Sequence, residues 1–247
     1  MSKTYEALRR AEALRARGQD QPIEPEHFEL PTPDVDLPVS GADDYYELRR
    51  RLLGSAVGDS VRTVLVVSPL HGEGASNVAC LLGKAMSERG RAKVLLVDLN
   101  LRTPSLWRLM HAKGRDGFTS VIAEDRPVED IVQETEWDGL KVVTAGNGYV
   151  DAIDIIDNQR TLDVVSDLGR HADVVFIDAA PVTLYPDARA LAPLVDGVIL
   201  VVEADVTPVT VANRAVELIR DTGANLLGVV LNKRRDYIPD RLLQLIG

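Results

Sequence analysis

Six short apolar runs recur from Thr63 onward: Thr63–Ser68, Lys93–Asp98, Leu140–Thr144, Asp173–Asp178, Gly197–Glu203 and Leu226–Leu231. Each has the length of one strand and is rich in Val, Leu and Ile, and segments with helical spacing separate them. Strands that are apolar throughout suit burial on both faces. Their alternation with helices predicts an α/β fold, a mostly parallel sheet with helices on both faces. The helix expected after the first run covers Asn77 to Arg89, with Val78, Leu81, Leu82, Ala85 and Met86 on one face and Gly90 as its stop. Ligands of such sheets bind beyond the carboxyl ends of the strands, which directs attention to the loop after Ser68, to Asp98 and to Asp178.

The pattern changes upstream. Tyr5, Leu8, Ala11 and Leu14 recur at helical spacing within Ser2 to Arg17, a segment with five basic and two acidic residues. This amphipathic helix either docks on an anionic membrane face or a partner, or packs on its own domain. Gly18 to Ala42 holds five prolines, six acidic residues and no Lys or Arg, and reads as an extended linker. A second helix is expected from Asp43 to Leu53, its acidic start and basic end matching the helix dipole. The expected organisation is a helix at 1–18, a proline-rich acidic linker at 19–42 and an α/β domain at 43–247.

Composition narrows the function classes. With 38 acidic and 28 basic residues the formal charge is −10, which disfavours a nucleic-acid-binding surface and suits protein partners. Cys80 is the single cysteine, so no internal disulfide forms and a reducing cytoplasm fits. No apolar run approaches the ~20 residues that span a bilayer, and the start is too charged for a secretory leader. The expected location is therefore the cytoplasm, with any membrane contact made through a partner.

The loop Gly72-Glu73-Gly74-Ala75-Ser76, between the first strand and the first helix, carries the candidate chemistry. A phosphate-binding P-loop wraps backbone amides around phosphates, places a lysine on the β/γ oxygens and a hydroxyl on Mg²⁺. Gly74 and Ser76 fill the last glycine and hydroxyl positions, and Ala75 stands where the lysine belongs. Two strand-end carboxylates, Asp98 and Asp178, would project at the same edge, and Ser76 with Asp178 forms the expected Mg²⁺ pair. Lys84 lies about 13 Å further along the helix at 1.5 Å per residue, too far to replace the missing charge. Arg102 is the better surrogate. His71 reads as a solvent-facing loop residue, and the six tyrosines are scattered.

Ser68-Pro69-x-x-Gly72-Glu73-Gly74-x-Ser76 resembles the first nucleotide motif of the bacterial tyrosine autokinases of capsule and exopolysaccharide synthesis, relatives of the Min and Par ATPases. Leu95 to Pro104 is similar to their second motif, and Val174 to Pro181 to their third. Gly117 to Ile122 and Gly228 to Lys233 also look like that family, so the resemblance runs from about Asp43 to Lys233. It implies a P-loop NTPase-like fold and Mg-ATP or Mg-ADP as cofactor. The nucleotide would be held by Gly72, Glu73, Gly74, Ala75, Ser76, Asn77 and Asn232, with Asp98, Asp178 and Arg102 as catalytic candidates. The implied partner is the cytoplasmic face of a membrane polysaccharide chain-length or export protein, with the protein itself peripheral to the inner membrane.

The departures from the family remove charge at one place: Ala75 for lysine, Asn77 for threonine and Asn100 for the second aspartate of the second motif. Only one tyrosine, Tyr237, stands near the end, where the family carries a phosphorylated tyrosine cluster. Asp43, Tyr46 and Arg49 occupy the positions of the family's E-x-x-R-x-x-R assembly helix and keep an acidic start and the second arginine, leaving homo-oligomer formation open. The leading expectation is a degenerate, non-catalytic partner or regulator that binds nucleotide weakly if at all. A residual tyrosine autokinase or ATPase, and a Min/Par-type membrane-positioning protein, are the alternatives.

Overall fold

The computed structural model describes residues 61–88, 92–146, 152–156 and 158–233. The helices expected before residue 61, the linker, the positions Asp43, Tyr46 and Arg49, the stop at Gly90 and Tyr237 lie outside them.

Among the described residues seven strands form one sheet: β1 (Thr63–Val67), β2 (Val94–Leu99), β3 (Gln133–Glu134), β4 (Leu140–Val143), β5 (Val174–Ala179), β6 (Gly197–Glu203) and β7 (Leu226–Asn232). Their spatial order is β3-β4-β2-β5-β1-β6-β7, and every pairing is parallel except β3 with β4. Six strands match the six apolar runs to within a residue at either end. β3 was not legible, because Gln133 and Glu134 have no apolar pattern. It pairs at the sheet edge with Val142 and Lys141, helped by an ion pair of 2.7 Å between Lys141 Nζ and Glu134 Oε1.

The strands are continuous apolar runs because both faces are covered, with successive side chains pointing to opposite sides. Seven α-helices are described: α1 (Ala75–Ser87), α2 (Leu106–Leu109), α3 (Phe118–Ala123), α4 (Ala152–Ile156), α5 (Gln159–Asp167), α6 (Asp187–Leu191) and α7 (Val209–Arg220). α1 packs across β1, β2 and β5 through a stripe that includes Val78, Leu82 and Met86. On the other face Leu65, Val67, Leu95, Val97 and Ile177 share a core with Phe118, Ile155, Val165, Leu191 and Ile219 from the remaining helices. Fully burying one such side chain contributes about 1.5–3 kcal/mol.

α1 begins two residues earlier than the apolar spacing indicated. Gly74 is its N-cap at φ 91°, and the Val78 amide donates to the Gly74 carbonyl at 3.0 Å, so the loop runs into the helix without a spacer. This hands the loop directly to a helix N-terminus at the carboxyl edge of β1.

A second close approach fixes α3. The Phe118 amide donates to the Thr144 carbonyl at 2.8 Å, and a Cβ on Gly117 would meet the Thr144 oxygen at 2.3 Å and the Gly146 nitrogen at 2.2 Å. Both obstacles are backbone and neither can swing away. Gly117→Ala is therefore expected to lower stability by about 1–3 kcal/mol, measured as a lower urea midpoint at unchanged slope.

Candidate functional site

The carboxyl ends of β1, β2, β5, β6 and β7 converge on the loop of residues 68–76. Gly72 (φ 86°) and Gly74 (φ 91°) take left-handed backbone conformations that side chains disfavour, and they let the chain turn tightly from β1 into α1. Beside the loop lies a cavity of about 230 Å³, with Gly74, Ala75, Ser76, Asn77, Arg108 and Asp178 in its lining. That is below the roughly 300–1,000 Å³ of pockets that enclose a whole small molecule.

Neighbouring strands β2 and β5 place Asp98 opposite Asp178, both fully buried. The two carboxylates play different parts. Asp98 Oδ1 accepts the Asn100 amide at 3.1 Å, and its Oδ2 accepts the amides of Ser105 and Leu106, each at 3.0 Å. It ties the second motif to the start of α2 and does not line the cavity, so the expected catalytic candidate is a structural cap. Asp178 does line the cavity. Its Oδ2 accepts the Ser76 hydroxyl at 2.6 Å, while Oδ1 is closed off from solvent with no partner.

An orphaned carboxylate oxygen beside a hydroxyl is a donor set that a hard divalent cation satisfies. Ser76 and Asp178 thus fit Mg²⁺, which when bound would neutralise phosphate charge. Among the described residues no cluster of three or more His, Cys, Asp or Glu side chains forms a separate metal site.

Burial raises the Asp98 carboxyl to about 6 despite its three amide donors. Burial also raises Asp178, well above the ordinary range, and the neighbouring Asp98 adds to it while Ser76 opposes. The Cys80 thiol is pushed up by burial and then by the two aspartates, which leaves it an inert core residue.

Each anticipated cation has a partner elsewhere. Lys84 holds its ammonium 3.5 Å from the centroid of the Trp137 ring. Arg102 makes a two-pronged ion pair with buried Asp187, Nε–Oδ2 2.8 Å and Nη2–Oδ1 2.9 Å, and stacks 4.3 Å from the Tyr185 ring. It is a clamp between the second motif and α6, and the surrogate role expected for it is not what the geometry gives. Exposed His71 reaches the same cluster, its Nε2 3.2 Å from the Tyr185 hydroxyl.

Two residues expected to hold nucleotide face the rear of the loop. The Glu73 carboxylate is buried, with Oε1 accepting the Thr207 hydroxyl at 2.6 Å and Oε2 the Leu70 amide at 3.3 Å. Asn232 Nδ2 donates to the Glu73 carbonyl at 2.8 Å. Their side chains brace the loop from behind.

Lys233 was read only as the end of a similar segment. Its Nζ donates to the Gly72 carbonyl at 2.6 Å and pairs with Glu203 at 2.9 Å, which makes it a second brace. The signal was its place one residue past β7, at the ligand edge of a parallel sheet. Arg108 gave no comparable signal, because the four-residue helix α2 that carries it into the cavity wall has no periodicity to detect.

Comparison with known proteins places this geometry. No protein-family model matches the chain. The tyrosine-protein kinase YwqD of Bacillus subtilis is 26% identical over 194 residues, 78% of this chain and 81% of that protein. The tyrosine-protein kinase CpsD of Streptococcus agalactiae is 27% identical over 182 residues, 73% of this chain and 79% of its own length. Both of these relatives are bacterial tyrosine-protein kinases. The succinoglycan biosynthesis transport protein ExoP of Rhizobium meliloti is 26% identical over 71% of this chain, which spans only 23% of ExoP.

Among solved structures the chimerical protein CapA2B2 superposes with a TM-score of 0.73 at 26% identity, covering 78% of this chain and 85% of that one. The kinase domain of the Escherichia coli tyrosine kinase ETK gives 0.75 at 20% identity, with 83% and 82% covered. The septum site-determining protein MinD of Pyrococcus horikoshii, solved with Mg-ADP, gives 0.62 at 24%, with 75% and 77% covered. The expected P-loop NTPase-like α/β fold is thus the observed one. The kinase-like chain is related to the tyrosine autokinases of capsule and exopolysaccharide synthesis. Among the described residues no helix is long and apolar enough to cross a membrane.

A Cβ on Gly74 would stand 2.3 Å from Asn232 Nδ2 at a φ of +91°. Gly74→Ala should break the Asn232 brace and destabilise by roughly 1–3 kcal/mol, with faster amide exchange in residues 72–76 by mass spectrometry.

For Asp98 the folded value of about 6 lies above the ordinary 3.8, so between those values the folded protein keeps a proton that the unfolded chain has released. Stability from this group is full below about pH 4 and is lost as pH rises through about 6. In magnesium-free buffer the advantage of wild type over Asp98→Asn should shrink as pH rises through that window, read from urea midpoints.

Proposed function

We propose that this protein is a degenerate tyrosine-autokinase-like partner or regulator in exopolysaccharide synthesis or export, one that does not transfer phosphate. The observation that carries the reading is Ala75. It lies in the cavity wall at the position where the resemblance places the P-loop lysine, and the cations at Lys84, Arg102 and Lys233 are engaged with Trp137, Asp187 and Glu203. Phosphoryl transfer relies on positioning and on charge that meets the developing negative charge. Asn100, in place of the aspartate that would activate a hydroxyl, spends its Oδ1 on the Thr103 amide and hydroxyl at 3.2 Å each.

Binding differs from turnover. The glycine turns, the Ser76–Asp178 pair and the helix N-terminus remain, and they support a pocket that still takes Mg-ATP or Mg-ADP, more weakly than a lysine-bearing loop. The intact Ser76–Asp178 pair also favours a second reading, a residual Mg-ATP-dependent kinase or ATPase.

For partners, the matching part of ExoP is about a quarter of a protein named for succinoglycan transport. In ExoP the domain is joined covalently to the rest. We infer that this chain meets an equivalent by docking on the cytoplasmic face of a membrane polysaccharide chain-length or export protein. It would then be cytoplasmic and peripheral to the inner membrane. Oligomer formation would depend on the segment around Arg49.

The natural protein is expected to show no ATP hydrolysis and no phosphotyrosine. Ala75→Lys should restore turnover, since an electrostatic donor at a reacting centre is worth about 3–4 kcal/mol, or roughly a thousandfold in rate. Phosphate release and phosphotyrosine immunoblotting check both, and hydrolysis by the natural protein at a rate matching Ala75→Lys would sink the non-catalytic reading.

A further inference from the structure

Among the described residues four buried side-chain atoms lack a hydrogen-bond partner, and three of them belong to residues lining the cavity at the loop: Ser105 Oγ, Arg108 Nε and Asp178 Oδ1. Buried polar groups are nearly always paired, so three orphans around one cavity mark a place built for a polar ligand. They divide by chemistry. Asp178 is an acceptor alone and suits a cation. Ser105 and Arg108 stand at the start and in the body of α2, and together they offer a hydroxyl and a guanidinium. Arg108 brings positive charge to the wall that also contains Ala75.

We propose that Arg108, with the Ser105 hydroxyl of the same cavity wall, is the cation that binds ground-state phosphate in this pocket, from α2 and not from the loop position of Ala75, so that it supports binding without supplying the loop lysine's part in transfer. The ligand class is a Mg²⁺-bound oligophosphate, and the source we assign is a nucleoside di- or triphosphate. The inference rests on the reading that the pocket still binds nucleotide without turning it over. Guanidinium suits this task, because its fixed fork of donors matches phosphate oxygens and it keeps its charge when partly buried. α2 is itself held by Asp98, which accepts the Ser105 and Leu106 amides. The buried carboxylate that caps the helix therefore sets where Arg108 sits.

The test is calorimetric titration of the full chain with Mg-ADP, Mg-ATP and magnesium pyrophosphate, for wild type, Arg108→Ala, Arg108→Lys and Ser105→Ala. Arg214→Ala, an exposed residue on α7 paired with Glu217, is the control for loss of one charge. Thermal melts establish that each variant is folded. Wild type should bind Mg-ADP, Arg108→Ala should bind at least tenfold more weakly, Arg108→Lys should recover only part of that loss, and Arg214→Ala should match wild type.

Binding by Arg108→Ala equal to wild type overturns the proposal, as does absence of wild-type binding at millimolar nucleotide. Pyrophosphate binding as tight as ADP, still dependent on Arg108, supports the phosphate contact and overturns the nucleoside assignment. Turnover of ATP by wild type would sink the non-catalytic reading and leave Arg108 in place. The failure of that reading is therefore distinguishable from the failure of this proposal.

Discussion

Two buried carboxylates stand opposite each other on adjacent strands. The register of β2 against β5 sets Asp98 opposite Asp178, and desolvating such groups is costly unless each finds a compensating partner. The surrounding loops are shaped by that requirement. Asp98 is satisfied by three backbone amides, which draws the chain after β2 back over the strand ends and starts α2 there. Asp178 is half satisfied by Ser76, which pins the first turn of α1 to β5 and leaves its other oxygen without a partner.

The loop itself is held from two sides. Behind it, Asn232 and Lys233 take the carbonyls of Glu73 and Gly72, and Glu73 bonds to Thr207, so the ends of β6 and β7 support a turn that glycine alone makes possible. To one side, Asp187, Arg102, Tyr185 and His71 form a chain from α6 to the loop. Charged groups that a sequence reader would place on phosphates are used as fasteners. These fasteners hold the shape of the pocket independently of the residue at position 75.

Much of the fold was legible because its signals are local. Continuous Val, Ile and Leu runs stand for strands buried on both faces, and the glycines at 72 and 74 mark a turn that other residues enter poorly. Where the reading failed, the deciding contacts were distant in sequence. Arg102 looked like a spare cation until Asp187, 85 residues away, took it. Glu73 and Asn232 looked like ligand contacts until they met Thr207 and each other. β3 has no apolar signature, and α2 is too short to show a period.

By itself the sequence determined the α/β class, the glycine-rich loop between β1 and α1 with alanine at position 75, and the meeting of Ser76 with Asp178. These follow from residue type and from position relative to strand ends, which parallel sheets bring to one edge. Only the tertiary structure decided the division of labour between Asp98 and Asp178 and the engagement of each anticipated cation. It also decided that Arg108 lines the same cavity as Ala75. Those outcomes depend on which side chains meet across strands and loops far apart in the chain, and electrostatic partners are chosen by distance in space.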